Sequence, residues 1–198
     1  MVRHYYSSGY GKKILIPLYI HGVTLEFISY KSLFSGTQVD KGTLLLLENI
    51  RIPREGVVLD IGCGYGVIGI TIAKLNPRLR VYMVDINPLA VKTARQNAIR
   101  NNVADRVVVL KGDMYEPVKN MLFKAIYTNP PLASGRETVE TILLQAYNYL
   151  EENGFLQTVL AKGREYYLEK IKKRYNRVEW IKKKGYIVIT AYKEQVKQ

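Results

Sequence analysis

The sequence has little cysteine, little histidine and no long apolar run. Cys63 is the only cysteine in 198 residues, which excludes a disulfide within the chain and fits a reducing compartment. His4 and His21 lack the companions that a metal site needs, so we predict no metal. The longest apolar run, 44–47, is far too short to cross a bilayer, and the N-terminal residues lack the apolar core of a signal peptide. We therefore expect a cytoplasmic protein with no membrane partner.

Acidic residues are also scarce. There are 17 Asp and Glu against 30 Lys and Arg, which gives a net charge of +13. A soluble protein this basic usually meets a polyanion, and nucleic acid is the leading candidate over an anionic membrane surface. Basic side chains are interleaved with Tyr and Trp over residues 162–184. Within this stretch Lys172, Lys173 and Arg174 are predicted to contact RNA, because such a mixture suits phosphate contacts and base stacking.

Strand and helix patterns alternate from residue 57 onward. Short apolar runs followed by helical spacing predict a Rossmann-like α/β fold, with a mostly parallel seven-stranded sheet covered by helices on both faces. Two final runs that turn near Lys184-Gly185 predict an antiparallel edge hairpin, and residues 13–30, broken at His21-Gly22, predict a separate N-terminal hairpin. Residues 137–153 predict one long helix closed by Gly154.

The chain is predicted to form one domain, 1–198. Residues 1–50 would be an N-terminal extension made of the hairpin and a short apolar helix, and residues 51–198 the core. We find no repeat, low-complexity tract or linker that would divide it. The sequence leaves the oligomeric state open.

A glycine-rich turn between the first core strand and its helix is the strongest local signal. The segment is Asp60-Ile-Gly62-Cys-Gly64-Tyr-Gly66. Glycines at such a turn let the backbone approach a ligand closely, and the following helix aims its first amides at that ligand. Asp85 ends the next strand, where a carboxylate can bind ribose hydroxyls.

Two ligands are compatible with this turn. Gly64 to Gly69 matches the G-x-G-x-x-G pattern, so an NAD(P)-dependent oxidoreductase is one interpretation. However, a carboxylate at Asp60 would be poorly placed beside a pyrophosphate. The pattern Asp-x-Gly-x-Gly-x-Gly resembles the first motif of class I methyltransferases, whose loop holds the amino-acid end of S-adenosylmethionine. By the same resemblance, Asp113 and Met114 would lie against the adenine.

A second motif, Asn129-Pro130-Pro131, follows the fourth core strand. Adjacent prolines fix the backbone and remove two amide donors, and a residue before proline is held extended. The Asn129 side-chain oxygen and the Pro130 carbonyl could then accept both hydrogens of an amino group and hold its nitrogen for in-line attack on a methyl group. Such catalysis rests on positioning and polarisation rather than on a strong base.

The chain resembles the "methyltransferase small" family, which includes ribosomal-RNA guanine-N2 methyltransferases and short archaeal proteins. The resemblance covers residues from about 30 to 160 through FSGTQVDKGT, DIGCGYGVIGI, VDINPLAVKTARQN and TNPP. It implies S-adenosylmethionine as the cofactor and Asn129, Pro130 and Pro131 as the catalytic corner. The residues implied to bind the cofactor are Asp60, Gly62, Gly64, Gly66, Asp85, Ile86, Asp113 and Met114, with Lys41, Gly42 and Thr43 closing over its methionine end.

One position departs from the family pattern. Many members carry an aromatic residue after the second proline, where it can stack on the target base, whereas this chain has Leu132. Phe34 could supply the stacking instead, or Leu132 could make an apolar contact. The departure leaves the identity of the base more open than the reaction.

The function predicted is N-methylation of a nucleobase exocyclic amine. The leading substrate is guanine N2 in structured RNA, ribosomal RNA before transfer RNA, with adenine N6 left open. The same corner would also serve a glutamine amide in a protein. The two alternatives of another class are the oxidoreductase and a non-catalytic RNA-binding module with a relic pocket.

Overall fold

The computed structural model describes residues 12–33, 38–161 (without the side chain of Leu132) and 163–194. The elements of this part of the chain are β1 (Lys13–Ile20), β2 (Val23–Tyr30), α1 (Lys41–Glu48), β3 (Gly56–Ile61), α2 (Val67–Leu75), β4 (Leu79–Asp85), α3 (Pro88–Arg100), β5 (Val107–Lys111), β6 (Phe123–Thr128), α4 (Arg136–Gln145), β7 (Leu150–Leu160), α5 (Arg164–Arg174), β8 (Arg177–Lys183) and β9 (Tyr186–Tyr192). No helix in the described ranges has the length and apolar character needed to traverse a bilayer.

Seven strands form one sheet in the order β5-β4-β3-β6-β7-β9-β8. Strands β3 to β7 pair in parallel, and β9 runs antiparallel to both of its neighbours, β7 and β8. The predicted mostly parallel sheet with an antiparallel edge hairpin is therefore confirmed. Because the chain winds in opposite directions from β3, a crevice opens beyond the carboxyl ends of β3 and β6.

Two apolar cores lie on opposite faces of the sheet. Neighbouring strand residues alternate between them: Val58 belongs to the core with α1, α2 and α3, and Leu59 to the core with α4 and α5. Both residues are fully buried, as expected for parallel strands that are covered on both faces. Helix α3 begins as predicted, with Pro88 as its first residue and the Asn87 side chain accepting from the Leu89 amide at 2.9 Å.

The predicted helix closed by Gly154 is wrong in its second half. Helix α4 ends at Gln145, a 3₁₀ turn spans Ala146–Tyr149, and β7 begins at Leu150. Gly154 lies inside this strand, where a Cβ would be only 2.9–3.1 Å from three backbone carbonyl oxygens. Its own carbonyl accepts from the Lys193 amide at 2.9 Å. A partner almost 40 residues away pairs this segment, so local periodicity could not show it.

The N-terminal hairpin is confirmed and packs against α3. It turns through His21 (φ 48°) and Gly22 (φ 79°), both left-handed, as two-residue hairpin turns require. Asn97 of α3 and Asn101, the C-cap of that helix, pair their side-chain amides with the backbone of β2 at Ile28 and Glu26. These side-chain amides make the hydrogen bonds that a neighbouring strand would make with the edge of the hairpin.

Candidate active site

A cleft opens at the carboxyl ends of β3, β4 and β6. It consists of two adjoining cavities of about 220 and 780 Å³. Both are lined by Leu33, Asp40, Gly62, Asp85 and Asn129. The sheet topology places ligands of open α/β folds in this position. The smaller cavity continues along the glycine loop, and the larger one continues past the proline corner.

The glycine loop adopts the backbone conformation that its sequence predicts. Gly62, Gly64 and Gly66 have φ values of 68°, 56° and 95°, which only glycine adopts without strain. The amides of Gly62 and Cys63 both donate to the Val84 carbonyl, which fixes the loop against β4. Gly62 and Gly64 line the cleft, whereas Gly66 does not and is the N-cap of α2.

Asp60 lies beneath the loop and does not line the cleft. Its Oδ2 accepts from the Gly69 amide at 2.9 Å, and its buried Oδ1 has no hydrogen-bond partner among the described residues. Burial raises the pKa of Asp60 to about 7, the Gly69 hydrogen bond acts to lower it, and the charge of Asp85 adds to the rise. Asp60 therefore reaches a ligand only through the loop that it supports.

Asp85 joins the loop to the next helix. Its Oδ2 accepts from the Gly64 amide and its Oδ1 from the Asn87 amide, both at 2.8 Å. It lines both cavities, and each carboxylate oxygen keeps a second lone pair for a ligand hydroxyl. The geometry suits the ribose contact that the sequence predicts.

The larger cavity has an apolar wall beside an acidic group. Ile86 exposes 65% of its surface there, which leaves an uncovered apolar face for a flat ring. Asp113 and Met114 line the same cavity, and Met114 is held at a φ of 44°. Ile86, Asp113 and Met114 thus line one cavity; the sequence predicts Asp113 and Met114 for the adenine and Ile86 for the cofactor in general.

The proline corner orients the amide of Asn129. Its Nδ2 donates to Asp40 Oδ2 at 2.8 Å and to Thr43 Oγ1 at 2.9 Å. Because both N–H groups are used, only Oδ1 remains, as an acceptor. No described residue donates to this oxygen or to the Pro130 carbonyl. Two acceptors are therefore left at the corner, as the sequence predicts.

Asp40 is a site residue that the sequence analysis did not select. It caps α1, where its Oδ2 accepts from the Thr43 amide at 2.8 Å, and it lines both cavities. Its position before an apolar helix is a typical N-cap signal, which could have identified it. Of the predicted segment at 41–43, Thr43 lines the cleft, Gly42 lets Tyr186 approach, and Lys41 is exposed outside the lining.

Three predicted substrate contacts lie away from the cleft. Lys172, Lys173 and Arg174 end α5, which starts near the cleft and runs toward the amino ends of the strands. Arg174 donates to Asn148, just before β7, and Lys172 lies over the ring of Trp180. Sequence proximity could not show which end of α5 faces the cleft. Phe34 lies outside the described residues, and Leu132 begins a 3₁₀ turn, Leu132–Ser134, beside Pro131.

The sheet order and the cleft together define a methyltransferase of the Rossmann-like class, and comparison with known proteins gives its family. The model of the Methyltransferase small domain matches residues 24–191. The uncharacterized protein YbxB of Bacillus subtilis (strain 168) is 33% identical over 98% of this chain and 100% of its own length. The chain belongs to the Methyltransferase small domain family and is a methyltransferase that uses S-adenosylmethionine.

Other relatives carry names that specify a substrate. Proteins of Psychromonas ingrahamii and Vibrio vulnificus, named ribosomal RNA small subunit methyltransferase C, are 35% and 39% identical over 72% and 69% of this chain. This chain spans only 41% and 40% of their lengths. Among solved structures, the T. thermophilus 16S rRNA N2 G1207 methyltransferase in complex with AdoMet and guanosine matches with a TM-score of 0.80 and 23% identity, over 92% of this chain and 51% of that one.

The charges of the cleft fit this cofactor. S-adenosylmethionine supplies an electrophilic methyl group on a positively charged sulfur. The cleft is lined by the carboxyl groups of Asp40, Asp85 and Asp113, which favour a cation. The same groups would repel a pyrophosphate, so the cleft disfavours the NAD(P) interpretation.

Proposed function

We propose that this enzyme methylates the exocyclic amino group of a nucleobase in ribosomal RNA, with guanine N2 as the acceptor. The observation that carries the proposal is the orientation of Asn129, whose two N–H groups are held by Asp40 and Thr43. Its Oδ1 and the Pro130 carbonyl then form a pair of acceptors that matches the two hydrogens of a primary amine. The names of the relatives, which include a methyltransferase of guanine N2, support the choice of substrate.

Each side of the cleft has its own task in this proposal. Gly62, Gly64 and Asp85 bind the cofactor's amino-acid end and ribose, and Ile86, Asp113 and Met114 hold its adenine. Asp60 and Gly66 act through the loop, which they keep in shape. Thr43 closes the methionine end beside Asn129.

The acceptor nitrogen is activated by position. Hydrogen bonds from the amine to Asn129 and Pro130 turn its lone pair toward the methyl group and stabilise the positive charge that develops on nitrogen. The nitrogen forms its new bond to carbon as the carbon–sulfur bond breaks, and it then releases one proton. Pro131 keeps the corner rigid, and Ala133 and Ser134 in the turn that follows it are exposed.

A glutamine amide in a protein is the second candidate. It also offers a primary nitrogen to the same two acceptors. The fold does not decide between RNA and protein as the substrate, because a ribosomal protein L11 methylase of Lactobacillus delbrueckii matches with a TM-score of 0.68 and 18% identity, over 92% of this chain and 100% of that one. The net charge of +13 favours RNA.

Transfer of labelled methyl groups tests the proposal. The enzyme is incubated with radiolabelled S-adenosylmethionine and either unmodified small-subunit ribosomal RNA or a ribosomal protein fraction. We expect label in N2-methylguanosine after digestion to nucleosides, and none with Asn129→Ala. Label in N6-methyladenosine would show that the acceptor is adenine N6 rather than guanine N2. Label only in protein would favour a glutamine amide as the acceptor. Cofactor binding without any transfer would favour the non-catalytic module.

A further inference from the structure

Acidic and basic groups are separated around the cleft. Inside it, Asp40, Asp85 and Asp113 line the walls, and no lysine or arginine in the described ranges does. A phosphate would be repelled by these walls, whereas an uncharged base would not. The backbone of a nucleic acid must therefore stay outside while one base enters, as base-flipping enzymes require.

The larger cavity extends past the acceptor corner on the side away from the glycine loop. The glycine loop and Asn87 line the cofactor side. Beyond Asn129, the larger cavity is lined by Pro131, Ser134, Thr138, Ala161 and Tyr186, which come from the segments that begin α4, α5 and β9. These three segments therefore offer a base a route to Asn129 that does not cross the cofactor.

Basic side chains stand along this side. Arg136 lies between the lining residues Ser134 and Thr138, and its guanidinium lies over the ring of Tyr166 at 4.7 Å. The Tyr166 ring, which is 37% exposed, supports the arginine and also lies 5.4 Å from the Lys170 ammonium, so it gathers two cations beside the acceptor side. The contact holds a positive charge near the acceptor side, and no carboxylate in the described part of the chain forms an ion pair with it.

The turn between β8 and β9 adds further positive charge. Lys184 is exposed, has a φ of 49°, and is two residues from the lining residue Tyr186. Arg164 fixes this turn by donating to the Gly185 carbonyl at 2.5 Å. Lys182 is 3.9 Å from Glu165, which also pairs with Arg164. Such exposed pairs are weak, so phosphates can compete for these cations.

We propose that an acceptor rim, formed by Arg136, Arg164, Tyr166, Lys182 and Lys184, binds the RNA phosphates and bases that flank the target nucleotide. This inference rests on the proposed function for the identity of the polyanion. In this proposal the rim contacts the RNA near the target base, rather than Lys172, Lys173 and Arg174 at the end of α5, as the sequence predicts. The rim lies at the carboxyl edge of the sheet, where the target base enters.

Three variants that each remove three positive charges test the rim. The rim variant is Arg136→Gln with Lys182→Gln and Lys184→Gln. The control is Arg54→Gln with Arg78→Gln and Lys119→Gln, all exposed positions that precede β3, β4 and β6 at the opposite edge. The third variant changes Lys172, Lys173 and Arg174 to Gln. Binding of a fluorescein-labelled, unmodified small-subunit ribosomal RNA stem-loop is followed by anisotropy at several salt concentrations.

The rim variant should bind RNA on the order of 10- to 100-fold more weakly, and the slope of log affinity against log salt should fall by about 2 to 3. Affinity for S-adenosylhomocysteine should stay unchanged, and the control should remain within about threefold of the wild type. Equal losses of RNA affinity in the rim and control variants would contradict the proposed role of the rim. A loss of affinity confined to the third variant would also contradict it, as would the absence of RNA binding by the wild type.

Methyl transfer separates this inference from the proposed function. If the wild type methylates RNA but the rim variant binds and methylates it as the control does, the rim is wrong and the function stands. If the wild type binds RNA through the rim but transfers no methyl group to it, the rim stands and the function is wrong.

Discussion

The amide of Asn129 donates to the carboxylate of Asp40 at 2.8 Å, across 89 positions of the sequence. This hydrogen bond joins the proline corner to the first turn of α1. Since Asp40 also caps that helix, the start of α1 and the acceptor corner are held as one unit. The contact explains why Oδ1 of Asn129 is the atom left for a substrate.

Removal of the Asp40 carboxylate should misplace Asn129. We expect Asp40→Ala to lower kcat on the order of 100-fold, because small displacements of a positioning group have effects of this size. It should also cost about 1 kcal/mol of stability through the lost helix cap. Asp40→Asn keeps both a capping oxygen and an acceptor and should retain most of kcat. Steady-state kinetics, cofactor affinity and urea unfolding are measured for each variant. An unchanged kcat in Asp40→Ala would show that Asp40 does not position Asn129 for catalysis.

Asp85→Ala should weaken cofactor binding. Loss of the carboxylate removes the proposed ribose contact and leaves the Gly64 and Asn87 amides without their acceptor. Hydrogen bonds to charged groups are worth about 1.5–3 kcal/mol, so Kd should rise roughly 10- to 100-fold. Isothermal titration with S-adenosylhomocysteine measures it. Asp105→Ala, at an exposed position away from the cleft lining, is the control; equal affinities of the two variants would contradict the assignment.

Asp60 should make folding stability depend on pH. Its pKa is about 7 in the folded protein against an ordinary value of 3.8. Between these values the folded chain holds a proton that the unfolded chain releases, so the free energy of unfolding should fall as pH rises from about 4 to about 7. The full change is roughly 4 kcal/mol, and above pH 7 it levels off.

Asp60→Asn isolates this effect, since its amide does not ionise. Urea unfolding of both proteins at pH 5 and pH 8 gives the difference between their pH dependences, in which other titrating groups cancel. The wild type should lose more stability than the variant on going to pH 8. Equal losses in the two proteins would show that Asp60 ionises normally.

Asn97→Ala should weaken the attachment of the hairpin to α3. Asn97 is fully buried, exchanges hydrogen bonds with the backbone of Ile28 and donates to the Tyr65 carbonyl at 2.8 Å. Leaving the backbone groups of Ile28 and Tyr65 without these hydrogen bonds should lower the free energy of unfolding by about 2–4 kcal/mol. Gln96→Ala, at the exposed neighbouring position, should cost little.

We also propose that hairpin and core form one domain. A separate unfolding transition of the hairpin in the wild type would contradict this.

Local features could be predicted from the sequence because their causes are local. The positive φ angles of the glycine loop, the cap at Asn87 and the turn at Gly22 each follow from neighbouring residues. The predicted helix over 137–153 is wrong from Leu150 onward, because the partners that make this segment a strand are distant in sequence: Leu150 pairs with Phe123 of β6, and Gly154 bonds to Lys193, just past β9.

The sequence by itself determined the class of fold, the glycine loop, the rigid Asn-Pro-Pro corner and the excess of positive charge. Only the tertiary structure decided which atom of Asn129 faces the cleft, because its partners Asp40 and Thr43 lie more than 80 positions away. It also decided which basic residues stand beside the mouth. Because α5 follows the carboxyl end of β7, its start lies at the cleft and its end at the opposite edge of the sheet. No residue pattern within α5 shows which of its ends lies at the cleft.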